Sequence, residues 1–151
     1  MTEHEISNLQ PGQELDRLVA EACGMPSRIA SGKCEVGYNY KRGDGTVTSA
    51  WRDFRPSTDW NDAMLAAEKA GLFHFTTIQG DQDKLWMRPN TQFQAFLTCD
   101  CGYWTVKIYR YFAGYATGIL SRAAEQQYVS TIAEDKSGPL AICRAILQAK
   151  Q

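Results

Sequence analysis

Apolar residues recur at helical spacing in three separate stretches, residues 11–24, 59–71 and 137–148. Each stretch places its apolar side chains at i, i+3, i+4 and similar steps, which is typical of a helix buried along one face. Glycines near the ends of the first two stretches suit C-terminal caps, and a proline opens the third. The apolar faces are Leu15, Leu18, Val19 and Ala22; Trp60, Ala63, Met64 and Ala67; and Leu140, Cys143, Ile146 and Leu147.

Alternating or β-branched segments fill most of the remaining chain. Residues 36–40 and 46–51 flank the turn at 42–45 and predict a short hairpin. Residues 72–78, 91–98, 103–111 and 127–133 predict further strands, and residues 113–126 predict a loop with a short helical turn. Because such a sheet is apolar on both faces, it needs cover on both sides. We therefore predict an α+β fold, a three-layer α/β/α sandwich with an antiparallel sheet of three to five strands covered by helices.

The chain has 151 residues, which suits a single domain over residues 1–151 with a glycine- and aromatic-rich insertion at about 25–55. Lys and Arg number 16 against 17 acidic residues, so the net charge of −1 does not favour nucleic acid as a partner. No apolar run approaches the roughly 20 residues that span a bilayer. The start, MTEHE, is acidic where a signal peptide is basic. We expect a cytosolic protein that does not contact a membrane.

The five cysteines are widely scattered, and in a reducing cytosol they are expected to be free thiols. Cys99 and Cys101 flank one aspartate and raise the question of a zinc site. A structural zinc site needs four ligands at recognisable spacing, and the chain has only two histidines. We therefore predict no metal and no cofactor.

The segment that precedes the second helix carries the most suggestive chemistry. Ser57 or Thr58 is the expected N-cap, with Asp59 inside the first turn. A helix start of this kind offers amide donors and a positive dipole end to a phosphate. Nearby arginines can add charge, and nearby aromatic rings can stack on a base. The predicted ligand-binding residues are Tyr38, Tyr40, Trp51, Arg52, Arg55, Ser57, Thr58, Asp59 and Trp60.

A purely structural explanation of the same segment stays open. Ser57 and Asp59 can simply cap the helix, and Trp60 can simply pack against the core. The carboxylate of Asp59 also repels an anion unless it points elsewhere, for example to a ribose hydroxyl.

Signatures of catalysis are absent from the sequence. There is no glycine-rich phosphate loop and no nucleophile elbow. His74 falls inside a predicted strand, where a packed or surface role is commoner than a general base. Asp53 and Asp59 are separated by a turn, and the second has a capping explanation. We predict that the protein is not an enzyme.

Three motifs occur in order along the chain: PGQELDRLVAE at residues 11–21, PSTD at 56–59 and GPLAICRA at 138–145. Together they resemble the phage ABA sandwich domain family, small accessory proteins of phages and prophages. The resemblance implies a sheet between helical layers and a protein that acts in the cytoplasm of an infected bacterial host. It implies no activity. The chain departs from the family pattern in residues 25–55 and 113–126, where a particular function can have been added.

The phage setting favours a protein that acts by binding. Bacterial immune systems signal with cyclic oligonucleotides and with molecules of the cyclic ADP-ribose type. We predict that this chain sequesters such a nucleotide-type signal without catalysis, as a homo-oligomer whose interface can enclose the ligand. The alternative is an adaptor or inhibitor that binds a host or phage protein through exposed aromatics such as Tyr103.

Overall fold

The computed structural model describes residues 1–71, 93–110 and 128–151, and gives the backbone alone for 93–96, 109–110 and 128–132. The strand predicted for residues 72–78, which includes His74, and the loop predicted for 113–126 lie outside these ranges. The elements are α1 (Glu3–Ser7), α2 (Gln13–Ala22), β1 (Ser27–Ala30), β2 (Lys33–Lys41), β3 (Val47–Asp53), α3 (Trp60–Lys69), β4 (Phe93–Asp100), β5 (Tyr103–Arg110), β6 (Tyr128–Asp135) and α4 (Gly138–Ala149).

The described strands form two antiparallel sheets, in the orders β1–β2–β3 and β4–β5–β6. In the first sheet, Tyr38 pairs with Ala50 and Val36 pairs with Arg52. In the second, Val106 pairs with Leu97 on one side and with Ala133 on the other. The predicted mixture of helices with antiparallel strands is confirmed. The single sheet of the prediction is replaced by two sheets of three strands each.

Helices connect the two sheets. Helix α2 packs against β1, β2 and α4, while α4 packs against β5 and β6 and also against α1 and α3. Contacts within the described ranges therefore run from the first sheet through α2 and α4 to the second sheet. On the second sheet, Val106 and Ile108 are fully buried, whereas Lys107 between them is exposed.

Helix α4 is the centre of the core. All of its residues from Gly138 to Leu147 are buried except Arg144. A helix that is apolar almost all round is expected in the interior, because each face removes apolar surface from water. The burial of Arg144 is compensated in part, since its Nη1 donates to Asp135 Oδ2 at 2.7 Å and its Nη2 donates to the Leu9 carbonyl at 2.9 Å, whereas its buried Nε has no hydrogen-bond partner among the described residues.

Two short elements have no signal in the sequence pattern. Helix α1 has five residues and is closed by a capping box, in which Thr2 and Glu5 each accept from the other's backbone. Strand β1 has four residues and pairs with the inner half of β2. Both are too short to show a periodic pattern, so neither was predicted. No helix among the described residues has the length and apolar character needed to cross a membrane.

Candidate functional site

Helix α3 begins one or two residues later than the sequence predicts. The N-cap is Asp59, whose Oδ1 accepts from the Asp62 amide at 3.1 Å. Neither Ser57 nor Thr58 is the cap, and Asp59 lies outside the first turn rather than within it. The physical reason is that residues 56–58 form a turn closed by the Thr58 amide on the Arg55 carbonyl at 3.1 Å. Thr58 itself is exposed.

Ser57 is buried in the contact between this turn and the start of α2. Its side chain is 1% exposed, and its Oγ accepts from the Gly12 amide at 3.1 Å. Its own amide donates to Asp16 Oδ1 at 2.8 Å. Burial raises the pKa of the Asp16 carboxyl, and the hydrogen bonds from Ser57 oppose that rise. Ser57 therefore joins two helix starts and is not available to a ligand.

Asp62 accepts hydrogen bonds from both arginines of the predicted site, from the side chain of Arg52 and from the backbone of Arg55. Arg52 Nη1 donates to Asp62 Oδ1 at 3.0 Å, and the Arg55 amide donates to Asp62 Oδ2 at 2.8 Å. The Asp62 side chain is mostly buried, whereas the Arg52 side chain is half-buried. Arg55 is exposed and makes no ion pair with any described residue. The Arg52 side chain and the Arg55 backbone thus both bond to the carboxylate of Asp62, the third residue of α3.

At the start of α3, the protein's own carboxylate Asp59 already caps one amide of the first turn. Asp59 accepts from one amide of the first turn, and Asp62 lies inside that turn. A carboxylate at a helix start takes the interaction with the dipole that a bound phosphate would otherwise take. A phosphate placed directly on the amides of α3 would also face two negative charges. An anion at this helix start would therefore compete with the Asp59 carboxylate for the Asp62 amide.

Trp60 is turned away from the hairpin and toward α4. Its ring meets that of Trp104 edge-to-face, with centroids 4.8 Å apart. It also covers Gly138, the first residue of α4, so closely that a Cβ added there would lie 2.0 Å from Trp60 Cη2. Although 40% of Trp60 is exposed, its ring is a packing element between α3, α4 and the second sheet.

Trp51 lies on the side of the β2–β3 hairpin opposite to Tyr38 and Tyr40. It pairs with Gly37, whose missing side chain leaves room for the indole ring. The Arg28 guanidinium stacks on that ring at 4.4 Å from the centroid. The period of two along a strand places neighbouring residues on opposite faces, so Trp51 cannot share a ligand face with the two tyrosines.

Tyr38 and Tyr40 form what we call the tyrosine ledge, together with Thr48 and Ala50 across the hairpin. On this face of β2, Cys34 and Val36 are buried, while Tyr38 and Tyr40 are each 42% exposed. Tyr38 and Tyr40 thus extend this face of β2 beyond its buried part. The two rings lie side by side, with centroids 6.0 Å apart and planes inclined by 36°.

Arg52 stands at the inner end of the tyrosine ledge. It pairs with Val36 in the register, one step inward from the pair Tyr38–Ala50, and so shares their face. Its guanidinium lies 5.9 Å from the centroid of the buried Phe54 ring. Of the nine predicted residues, the structure brings Tyr38, Tyr40 and Arg52 onto one surface. The backbone amide of Arg55 donates to Asp62, the carboxylate that also pairs with Arg52.

The three motifs that carry the family resemblance meet in space. The turn at residues 56–59 bonds to Gly12 and Asp16 of the first motif through Ser57. Trp60, which follows that turn, covers Gly138 of the third motif. The motifs are therefore parts of one structural junction, where the starts of α2, α3 and α4 come together.

Sequence reasoning missed the residues that hold this region together. Asp62 had a weak signal, since it lies three residues after Asp59 as in a helix-start pattern. Asp16 and Gly138 had none, because their partners are distant in sequence. The stacking of Arg28 on Trp51 depends on the pairing of β1 with β2, which the sequence did not predict.

No group of three or more His, Cys, Asp or Glu side chains in the described part of the chain is arranged to hold a metal ion. All five cysteines are free, as predicted. Cys99 and Cys101 are exposed, Cys34 and Cys143 are buried, and Cys23 is half-buried with its Sγ donating to the Ala66 carbonyl at 3.2 Å.

Comparisons with family models, with curated proteins and with solved structures find no match for this chain.

Proposed function

We propose that this protein acts by binding, without catalysis, and that it sequesters a nucleotide-type ligand on the tyrosine ledge. The observation that carries the proposal is the exposed pair Tyr38–Tyr40 on the face that also holds Arg52. Aromatic rings on a strand face are stacking surfaces for bases, and each stacked base contributes about 1–3 kcal/mol. The function we propose is the capture of a cyclic oligonucleotide or a cyclic ADP-ribose-like immune signal.

Charge near the ledge supports an anionic ligand there rather than at the start of α3. The Arg52 guanidinium lies at the inner end of the ledge, where it pairs with Asp62, and the backbone amide of Arg55 donates to the same carboxylate. Arg55 is exposed and makes no ion pair with any described residue, so its charge is available to an anion. An arginine beside a stacked base is a common way to bind a nucleotide, because it pairs with the phosphate in a charge-assisted hydrogen bond.

The phage setting of this proposal rests on the resemblance of the three motifs to the phage ABA sandwich domain family. With it we propose that the whole chain adopts the three-layer sandwich of that family and works in the cytoplasm of the infected host. We also propose a homo-oligomer, since an interface that closes over the ledge would exclude water from the ligand. Light scattering after size exclusion tests the oligomer directly.

Calorimetric titration with cyclic dinucleotides, cyclic trinucleotides and cyclic ADP-ribose isomers tests the function. At least one of these ligands is expected to bind and to be recovered unchanged. Tyr38→Ala and Tyr40→Ala are expected to weaken its binding by about 1–3 kcal/mol each. Trp51→Ala is the matched control, since Trp51 is equally exposed at 41% on the other side of the same hairpin.

Three outcomes would contradict the proposal. If none of the nucleotides binds at micromolar concentration, sequestration is wrong. A new product peak after incubation would instead indicate an enzyme. Loss of binding in Trp51→Ala, with no loss in either tyrosine variant, would move the ligand to the opposite side of the hairpin.

A second candidate is the adaptor that binds a protein, and the two-sided exposure of the hairpin favours it. Val47 is 69% exposed and Trp51 is 41% exposed on the side opposite to the tyrosine ledge. A protein partner that grips the hairpin would contact both sides, and Tyr and Trp are favoured anchors of such interfaces. In native mass spectrometry of protein from infected cells, Trp51→Ala and Tyr40→Ala would then both release the partner. Only the tyrosine variant releases a bound nucleotide.

A further inference from the structure

The spacing of the two tyrosine rings carries an inference about the ligand, which rests on the function proposed above. Side chains two residues apart on a strand stand on the same face, about 6.6–6.8 Å apart along the chain. The Tyr38 and Tyr40 centroids are 6.0 Å apart, and both rings are equally exposed. The ledge therefore offers two stacking surfaces in sequence rather than one.

One base occupies one such surface. Single strands bind aromatic platforms by stacking successive bases on successive side chains, and the phosphates between them are held by cations. A ligand with a single base leaves one ring unused, whereas a ligand with two joined bases can use both.

Cations flank the ring pair at both ends. Arg52 lies at the inner end, one register step from Tyr38. Arg42 follows β2 at the outer end, two residues after Tyr40, and is exposed. The carboxylate of the adjoining turn, Asp44, bonds within that turn, where its Oδ1 accepts from the Thr46 amide at 2.9 Å and from its hydroxyl at 2.6 Å. The ring pair thus lies between two arginines, of which Arg52 also pairs with Asp62, and arginine suits the phosphodiester that joins two bases.

We infer that the tyrosine ledge binds a ligand with two nucleobases joined through phosphate, with one base on Tyr38 and the other on Tyr40. Each base stacks on one ring, and the linking phosphate lies between the bases within reach of the flanking arginines. This selects dinucleotides, linear or cyclic, over mononucleotides and over one-base molecules of the cyclic ADP-ribose type.

The test compares adenosine monophosphate, a linear adenine dinucleotide and its cyclic form by calorimetry on the full chain. At least one dinucleotide is expected to bind 10-fold or more tightly than the monophosphate. Tyr38→Ala and Tyr40→Ala are each expected to weaken the dinucleotide by about 5- to 150-fold, which is the fold-change of one lost stack. The monophosphate loses at most about twofold in either variant, because the other ring remains.

The double variant Tyr38→Ala/Tyr40→Ala is expected to bind dinucleotide and monophosphate equally weakly. Tyr38→Phe and Tyr40→Phe keep the rings and are expected to retain the preference, so they separate stacking from loss of the hydroxyl. Circular dichroism of each variant confirms that the hairpin is intact.

The outcomes separate this inference from the proposed function. If the monophosphate binds as tightly as both dinucleotides, the two-base inference is overturned while nucleotide sequestration stands. If no nucleotide binds, both are overturned. If a dinucleotide is preferred but both alanine variants bind it like the parent, the preference arises elsewhere and the ledge is the wrong site.

Discussion

Asp62 is the residue on which the start of α3 depends most, because it accepts from Arg52 and from the Arg55 amide at once. A mostly buried carboxylate is destabilised more by the loss of its cation than an exposed one is, since water replaces the cation only in part. Arg52 therefore has a structural role in addition to its place on the tyrosine ledge.

Arg52→Ala is expected to lower the free energy of unfolding by about 1–2 kcal/mol, because it leaves Asp62 without its guanidinium partner. Arg55→Ala is the matched control and should change stability by less than about 0.5 kcal/mol, since its exposed side chain makes no ion pair with a described residue. Urea unfolding of both variants measures the difference. Equal loss in the two would show that the Arg52–Asp62 pair does not support the fold.

Asp16 gives the stability of the protein a dependence on pH. Burial raises its pKa in the folded state above the ordinary value of 3.8, so ionised Asp16 disfavours folding. The contribution of this group to stability is therefore complete at acidic pH below that value and is lost as pH rises through the folded-state pKa.

Asp16→Asn is expected to be more stable than the parent at neutral pH, because the amide keeps an oxygen for the Ser57 amide and carries no charge. The gain should shrink as pH falls and approach zero below the ordinary value of 3.8, where the carboxyl of the parent is protonated in the folded and the unfolded state. Asp16→Ala removes the acceptor and should lose about 1–3 kcal/mol at both pH values. Urea unfolding at each pH would contradict the assignment if the Asn variant gained equally at both.

Thiol reactivity at single residues follows burial. Cys99 and Cys101 are exposed, whereas burial raises the pKa of Cys23 to about 11, that of Cys34 to about 11, and that of Cys143 well above its ordinary value. Because the thiolate is the reactive form, two thiols should react rapidly with a chromogenic disulfide reagent and three should wait for unfolding. All five should react in denaturant without a reductant. Protection of any pair in denaturant would reveal a disulfide.

At the scale of elements, the starts of α2, α3 and α4 are held together by contacts between them. The start of α2 bonds to the turn before α3, and Trp60 at the start of α3 covers the first residue of α4. Gly138 is required there because the Trp60 ring occupies the space that a side chain would fill.

Gly138→Ala is expected to cost about 1–3 kcal/mol of stability, because its Cβ would lie 2.0 Å from Trp60 Cη2 and would displace the ring. The same displacement should alter tryptophan fluorescence, since Trp60 also contacts Trp104. Gly43→Ala is the control, as no atom lies within 4 Å of an added Cβ there. Thermal unfolding and emission spectra of Gly138→Ala that match those of the control would refute this packing.

The sequence predicted the hairpin, but the prediction did not assign the aromatic side chains to its two faces. Alternation over residues 36–40 and 46–51 indicated two strands, and β2 and β3 confirm them with longer bounds. The pairing of Tyr38 with Ala50 and of Gly37 with Trp51 then decides which aromatic residues meet. Shifting the register by one residue would reverse that grouping, which is why a list of nearby aromatics does not define a site.

At the scale of the whole molecule, α4 links both sheets. It packs against β5 and β6 directly and reaches the first sheet through α2. The described parts of the chain should therefore unfold as one unit, because removing α4 uncovers apolar surface on both sides.

Ile142→Ala is expected to lower the free energy of unfolding by about 2–5 kcal/mol, because Ile142 is fully buried and its truncation leaves a cavity. Leu18→Ala is the control on α2 and should cost less, since Leu18 is only half-buried at the edge of the core. Circular dichroism and tryptophan fluorescence should give coincident unfolding curves for parent and variants. Separate transitions for the two signals would show that the sheets are independent.

The sequence by itself determined the elements with a long repeat and the absence of disulfides. The helical faces, the hairpin and the strands at β4, β5 and β6 follow from periodicity, because a regular pattern of burial requires a regular backbone. Only the tertiary structure decided that the described strands form two sheets and that α2 and α4 together connect them. It also divided the predicted site, since the partners of Ser57, Trp60 and Trp51 are distant in the chain. Such contacts depend on how helices and strands pack, and no local pattern records them.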